Sequence, residues 1–255
     1  MMQTWLTRRL SRPSRPSRIP RALASLAACT GLVALAACSS PPSRFYTLGS
    51  EAPAAATASS SHAPLLIEVP PVDVPSQVAK TSFVVQTGPN QVDVLEQTRW
   101  ASLPGDEIRR ALSVDLTQRL NTIDVFGTPY PDGVPVYRIS VNVQRFESWP
   151  GSHALIDAVW SVRAVRTQAV LTCRSVVNEP VSGGYDALVD GHRRAVQDIS
   201  AQIAAGIGAL AAAPLPRTLA PAKGASSAAA ASARAATVPC PVPVAAGMAD
   251  ASTGH

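Results

Sequence analysis

Between residues 137 and 144 apolar and polar side chains alternate without a break. Tyr137, Ile139, Val141 and Val143 are separated by Arg138, Ser140, Asn142 and Gln144, the period of two expected of a strand with one buried face. Phe146 then falls out of phase, which predicts a bulge. Trp149-Pro150-Gly151-Ser152 reads as a turn into a second long strand over 154–165, and a third follows over 169–177. Upstream, Leu65-Leu66-Ile67-Glu68-Val69 reads as a strand stopped by Pro70-Pro71. Runs over 83–87 and 92–96 flank Gly88-Pro89-Asn90, the signature of a hairpin. The period changes after Pro104-Gly105, where Ile108, Ala111, Leu112, Leu116 and Leu120 form one helical stripe. Asp106 and Glu107 at its start suit the positive end of the helix dipole. A short strand is predicted over 123–126, and a last helix over 186–210 aligns Val196, Ile199, Ile203, Ile207 and Leu210. This order of elements predicts an α/β domain bordering on α+β. Its sheet is mixed and largely antiparallel, packed by two main helices, which excludes a doubly wound nucleotide fold.

The flanks of this domain have a different composition. Six arginines lie within the first 21 residues, which carry no acid, so the formal charge of +5 belongs to that segment. The remaining 16 positive and 17 negative side chains nearly cancel, which removes the electrostatic case for nucleic-acid binding. An uncharged stretch over 22–37 follows, too short for a membrane span, and the whole reads as an export signal. It ends in Leu35-Ala36-Ala37-Cys38, which resembles the bacterial lipobox, whose cysteine is cleaved to the new N-terminus and acylated. Leu26-Ala27-Ala28-Cys29 is a second copy, disfavoured because cleavage there leaves an apolar run on the mature end. Residues 1–37 are thus the expected signal peptide. Residues 38–64 are a lipidated tether that contains Phe45-Tyr46-Thr47-Leu48 as a short docking strand and an Ala/Ser/Pro linker. The folded domain is expected over 65–213. The last 42 residues, 214–255, hold 14 Ala and 6 Pro and are expected to be disordered.

Candidate chemistry is sparse. His62, His153, His192 and His255 lack ligand spacing to any cysteine or acid, so no metal or other cofactor is expected. No nucleophile elbow or phosphate-binding glycine loop occurs, and no catalytic residue is assigned. Asp186, Asp190 and His192 lie close together and read as a solvated first helical turn. Cys173 reads as a small buried apolar residue, because Cys240 falls in the tail; a disulfide between them, feasible in an oxidising compartment, stays open. Trp160 reads as core. Trp149, in the predicted turn, and Trp100 are the candidate partner contacts, since Trp is enriched in binding hot spots.

An ordered set of motifs runs through the chain. It comprises the lipobox, Phe45-Tyr46-Thr47-Leu48, Val69-Pro70-Pro71-Val72-Asp73-Val74-Pro75 and Arg99-Trp100-Ala101. Tyr137-Arg138-Ile139-Ser140-Val141, Phe146-Glu147, Ala158-Val159-Trp160 and the apolar last helix complete it. Over about residues 35–212 this set resembles the ABC-type transport auxiliary lipoproteins of the PqiC (YmbA-type) family. The resemblance implies a fold similar to the small domain of TolB. It also implies a non-enzymatic outer-membrane lipoprotein facing the periplasm, anchored by N-palmitoyl and S-diacylglycerol groups on Cys38. Ser39, where an aspartate would favour inner-membrane retention, agrees with that location. The implied partners are a periplasmic MCE-domain protein and an inner-membrane transport component that move lipids or other hydrophobic molecules and support membrane integrity. Homo-oligomerisation is left open. The alternatives are a lipoprotein that carries lipid in its own cavity and a periplasmic hydrolase.

Overall fold

A computed structural model describes residues 42–49, 65–213 and 238–241, and these build two sheets and two helices. The strands are β1 (Arg44–Tyr46), β2 (Leu66–Glu68), β3 (Ser82–Gly88), β4 (Gln91–Trp100), β5 (Val136–Trp149), β6 (His153–Ala164) and β7 (Val170–Pro180). Helix α1 (Pro104–Leu120) separates β4 from β5, and α2 (Tyr185–Ala212) follows β7. One sheet has the order β1-β4-β3 and the other β2-β5-β6-β7. The β1–β4 and β2–β5 pairs are parallel and the rest antiparallel. The architecture is therefore the mixed, largely antiparallel α/β arrangement expected, divided into two sheets.

The alternating segment is the middle of β5, and its four apolar residues are all buried. The predicted phase break is a register shift: Val143 opposes Ala158 and Arg145 opposes Asp157, leaving Gln144 unopposed. Phe146 and Ser148 thereby return to the buried side. Sequence reading also places a strand over 123–126, and here the structure differs. Only an isolated bridge between Ile67 and Asp124 forms, because Asp124 turns its carboxylate to the Val69 and Phe126 amides and caps a bend.

Helix α2 lies across β6 and β7 and also packs on α1. Two glycines permit the close approach. A Cβ on Gly206 would sit 3.1 Å from the Trp160 ring and 3.0 Å from Leu171, and one on Gly191 would sit 2.7 Å from Val181. By length and composition α2 would pass for a membrane span, yet Val196, Ile199, Ile203 and Ile207 on it are buried within the core. Trp160 on β6 is itself core, as expected, at 1% exposure. Its indole N–H donates to Ser175 Oγ (2.8 Å), whose hydroxyl donates to Gln202 Oε1 (2.7 Å). This chain satisfies polar groups that burial would otherwise penalise.

An aromatic seam joins the two sheets. Phe83 of β3 stacks on Trp100 of β4 at 4.8 Å, and Trp100 meets Phe146 of β5 edge-on at 5.9 Å. His192 of α2 stacks on Phe146 at 4.1 Å. The position of His192 in the sequence predicts a solvated first helical turn. Instead it is fully buried, with Nε2 at 2.8 Å from Ser148 Oγ. The physical reason is helical phase: Leu188, Val189 and His192 share the buried face, whereas Asp186 and Asp190 are exposed. Burial pushes the imidazole pKa down to about 3, so the ring is neutral and its plane is free to stack.

Cys173 and Cys240 form a disulfide with Cα atoms 5.7 Å apart, a second correction. The reading of an unpaired Cys173 rested on tail composition, which is blind to a single covalent pin. Val238 packs against the core beside it. The expected disorder of 214–255 therefore fails at 238–241, and the rest of that range lies outside the described residues.

Two outcomes are expected. The disulfide closes a loop of 67 residues, for which chain entropy gives a stabilisation of about 4 kcal/mol. Cys240→Ala should lower unfolding free energy in urea by up to about that amount, with far-UV dichroism retained. His192 binds a proton far less readily when folded than the ordinary imidazole at 6.5. Its contribution is therefore absent above 6.5, and stability falls as pH drops from 6.5 toward 3, by at most about 1.4 kcal/mol per pH unit. The pair His192→Phe with Ser148→Ala, followed by urea titrations across that range, should flatten the slope.

Candidate functional site: the tether entry and the open sheet face

The chain enters the domain through β1, which pairs in register with the end of β4: Arg44 with Thr98, Phe45 with Arg99 and Tyr46 with Trp100. Ser43 Oγ donates to Gln97 Oε1 (2.8 Å), and the Ala101 amide donates to the Tyr46 carbonyl (2.7 Å). Leu48 is fully buried and Phe45 is 66% exposed. A docking strand thus forms, over Arg44–Tyr46 and not over the predicted 45–48, with Thr47 and Leu48 following it outside the ladder. A three-residue strand carries few ladder bonds, so something further must hold it.

That element is Glu107, in the first turn of α1 and fully buried. Its Oε2 accepts from Thr47 Oγ1 (2.7 Å) and from the Leu48 amide (3.0 Å). Its Oε1 accepts from the Ser102 amide (3.1 Å) and hydroxyl (2.5 Å) and from Arg110 (2.6 Å). Burial by itself would raise the carboxyl pKa. The Ser102, Thr47 and Leu48 donors together with the Arg110 charge outweigh it and hold the pKa below 4.5. On α2, Arg193 donates to the Thr47 carbonyl (3.3 Å). One carboxylate thus joins the incoming strand, the β4–α1 turn and the helix start. From the sequence Glu107 shows only a dipole role. No spacing rule would find the clamp, because Thr47 and Leu48 precede it by 60 and 59 residues.

The second feature is the face of the larger sheet turned away from α2. Register places Ser140, Ser161 and Thr172 side by side across β5, β6 and β7, with Asn142, Val159 and Arg174 as the next row. Apart from Arg174 these residues, together with Pro71 and Asp73, line an open groove of about 390 Å³. Asp157, 1% exposed, is gripped by both ends of the Arg174 guanidinium (2.9 and 2.6 Å). The Arg174 hydrogen bonds keep the Asp157 carboxyl below its ordinary range. At the β5–β6 corner, Trp149 stacks on His153 at 5.5 Å, and its indole N–H donates to Glu147 Oε2 (3.0 Å). Arg145 completes the corner by pairing with Glu147 (2.8 Å).

The sequence candidates separate on this geometry. Trp149 is half-buried at the rim of the open face, where a partner could reach its edge. Trp100, at 2% exposure, is sealed in the aromatic seam and offers no contact surface, a correction to its assignment. Its place just before a helix concealed that β4 carries it inward. Asp190 pairs with Arg193 (2.5 Å) and is nowhere joined to His192. Ser148 and His192 form a hydroxyl–imidazole pair, but both are buried and no carboxylate contacts the imidazole. Among the described residues no group of His, Cys, Asp and Glu has metal-binding geometry. Cys38, Cys29, His62 and His255 lie outside the described residues.

Glu107→Gln keeps the shape and removes the charge. It should destabilise the protein by about 1–3 kcal/mol at neutral pH, the range for a buried carboxylate group losing its charge-assisted partners. Because the folded-state pKa is depressed, the wild-type advantage is whole above 4.5 and disappears as pH falls through the folded value. Parallel urea titrations of both proteins should converge in acid. Amide exchange at Leu48 should quicken in the variant at neutral pH.

Comparison with known proteins agrees with this architecture. No curated protein sequence matches the chain. A crystal structure of an uncharacterized protein superposes with a TM-score of 0.53 at 20% identity, covering 66% of this chain and 99% of that one. A Xanthomonas campestris protein of the DUF330 family matches at 0.47 and 15% identity, over 63% and 92% of the two chains. A Caulobacter crescentus protein described as a candidate lipoprotein matches at 0.30 and 16%, over 42% and 85%. The model of the family described as the ABC-type transport auxiliary lipoprotein component matches residues 46–204. That match begins at β1 and ends within α2, spanning every element that builds the seam, the clamp and the open face. The chain is therefore a member of the ABC-type transport auxiliary lipoprotein component family.

Proposed function

We propose that this protein is an outer-membrane lipoprotein that tethers and aligns a periplasmic conduit of the MCE type, without catalysing a reaction. Residues 1–37 act as the signal peptide, Cys38 carries the acyl chains, and the folded domain docks the transport complex. The observation that carries this reading is the pairing of β1 with β4 from Arg44, six residues after Cys38, with Glu107 fixing the chain just beyond it at Thr47 and Leu48. Six extended residues reach at most about 22 Å. The domain is therefore held against the membrane with little freedom, and its docking surface acquires a high effective concentration there. Three acyl chains make such attachment lasting where one is marginal.

The remaining geometry supports an adaptor over the alternatives. A lipid carrier calls for an enclosed apolar cavity, whereas the clefts at the tether entry, at the α1 N-terminus and on the sheet face are open, with volumes of about 270, 300 and 390 Å³. A hydrolase calls for a reachable nucleophile, and the Ser148–His192 pair lies within the core. The MCE-domain protein and the inner-membrane component are the proposed partners, with Trp149 as the first contact residue.

Cys38→Ser should move the protein from the membrane to the soluble periplasmic fraction and abolish palmitate labelling; unchanged fractionation would refute the anchor. In the lipidated protein, Trp149→Ala should cut capture of the MCE-domain partner about tenfold or more. Inserting ten residues between Cys38 and Ser43 should weaken envelope integrity while leaving that capture intact. Copurified lipid in native mass spectra of the folded domain would replace the adaptor reading with the carrier.

A further inference from the structure

We propose that the Cys173–Cys240 disulfide is a redox latch, which holds the segment 238–241 at the edge of β7 and which a dithiol reductant opens without unfolding the domain. The inference is independent of the transport role.

Strand β7 ends the larger sheet. The Ala164 amide donates to the Ala169 carbonyl, and every later β6–β7 pair keeps that register. In an antiparallel ladder the direction of the backbone groups alternates. Leu171, Cys173, Ser175 and Val177 therefore direct their N–H and C=O groups at β6, while Thr172, Arg174, Val176 and Asn178 direct theirs outward at the free edge. Over these residues β7 runs without a bulge or proline, and its one charged side chain, Arg174, is paired with Asp157; bulges, prolines and charges are the devices that usually protect an edge strand. Instead, Cys240 Sγ lies 3.4 Å from the outward carbonyl of Thr172. Val238 packs on the core beside it. The tail segment occupies the place of an edge cover, and one covalent bond fastens it.

The two sulfurs differ in access. Cys173 is 5% exposed and Cys240 is an exposed residue. Exchange runs through attack of a thiolate on one sulfur of the pair, and access decides which. A reductant thiolate attacks Cys240 Sγ, forming a mixed disulfide there, while Cys173 Sγ leaves and takes a proton. The reductant's second thiol then attacks its own sulfur in the mixed disulfide, and Cys240 departs as a thiol. One disulfide becomes two thiols, the dithiol becomes a disulfide, and two electrons and two protons pass to the protein. Opening leaves the ladder intact, because the backbone groups of Cys173 bond to β6 and its thiol remains as a small buried side chain. What changes is the tail segment: Cys240 and Val238 are free to leave the domain.

The test uses the full lipidated chain in detergent, treated with dithiothreitol, with glutathione as a monothiol probe. Dithiothreitol should open the bond far faster than the domain unfolds, with far-UV dichroism unchanged. Glutathione should be recovered on Cys240 at least tenfold over Cys173 in peptide maps. Proteolytic cleavage next to residues 238–241 should quicken about tenfold on reduction, and equally in Cys240→Ala without reductant, while the inward Cys173 amide stays protected from hydrogen exchange. Opening only at the rate of global unfolding would overturn the proposal. So would glutathione on Cys173, or unchanged cleavage next to 238–241 in both the reduced protein and the variant.

Discussion

The stacking of Phe83, Trp100, Phe146 and His192 is the constraint on which the rest of the domain depends. Each ring comes from a different element, β3, β4, β5 and α2, so the seam is the place where the two sheets and the last helix meet. Aromatic pairs in offset or edge-on contact add about 0.5–1.5 kcal/mol each beyond area burial. Their greater effect is geometric, since rigid rings fix the angle between the elements that carry them. His192 joins the seam only as a neutral ring, and burial secures that by disfavouring the imidazolium. Its partner Ser148 reaches the buried side because the bulge at Gln144 resets the phase of β5. An irregularity of one residue in a strand thus decides whether a hydroxyl meets the imidazole or the solvent.

The tether clamp rests on that seam. Tyr46 meets Phe83 edge-on at 6.1 Å, so β1 leans on the same rings that join the sheets. Glu107 then fixes the chain just beyond it. A buried carboxylate is costly alone, and here five contacts from Thr47, Leu48, Ser102 and Arg110 offset the loss of water. The arrangement is directional. The same donors would leave a neutral glutamine half-satisfied, and an apolar residue would strand the Leu48 and Ser102 amides. The clamp therefore specifies a charged acid, and with it a definite exit point for the N-terminal segment.

Most of the secondary structure was legible because its causes are local. Alternation over 137–143, the Gly88-Pro89-Asn90 turn and the stripe from Ile108 to Leu116 are periodic signals within single elements, and each became the element expected. The bulge was legible for the same reason. The failures are non-local. His192, Trp100 and Cys240 were judged by their neighbours in sequence, but their environments are set by residues tens of positions away. Glu107 was seen as a helix-start acid, which is true and incomplete. The predicted strand over 123–126 failed where Asp124 found amide donors that a ladder would have denied it.

These constraints bear on how an anchored adaptor could work. A docking surface gains from membrane attachment only if the link between them is stiff, because each soft joint spreads the surface over more volume and lowers its effective concentration. Here the joint is short and its end is fixed: Ser43 to Leu48 are bound to β4, α1 and α2. The seam carries that fixation across to β5, whose far end holds Trp149 and the open sheet face. Clamp, seam and corner form one mechanically continuous path. Stiffness along it, more than any single contact at its end, is what a weak docking surface would draw on.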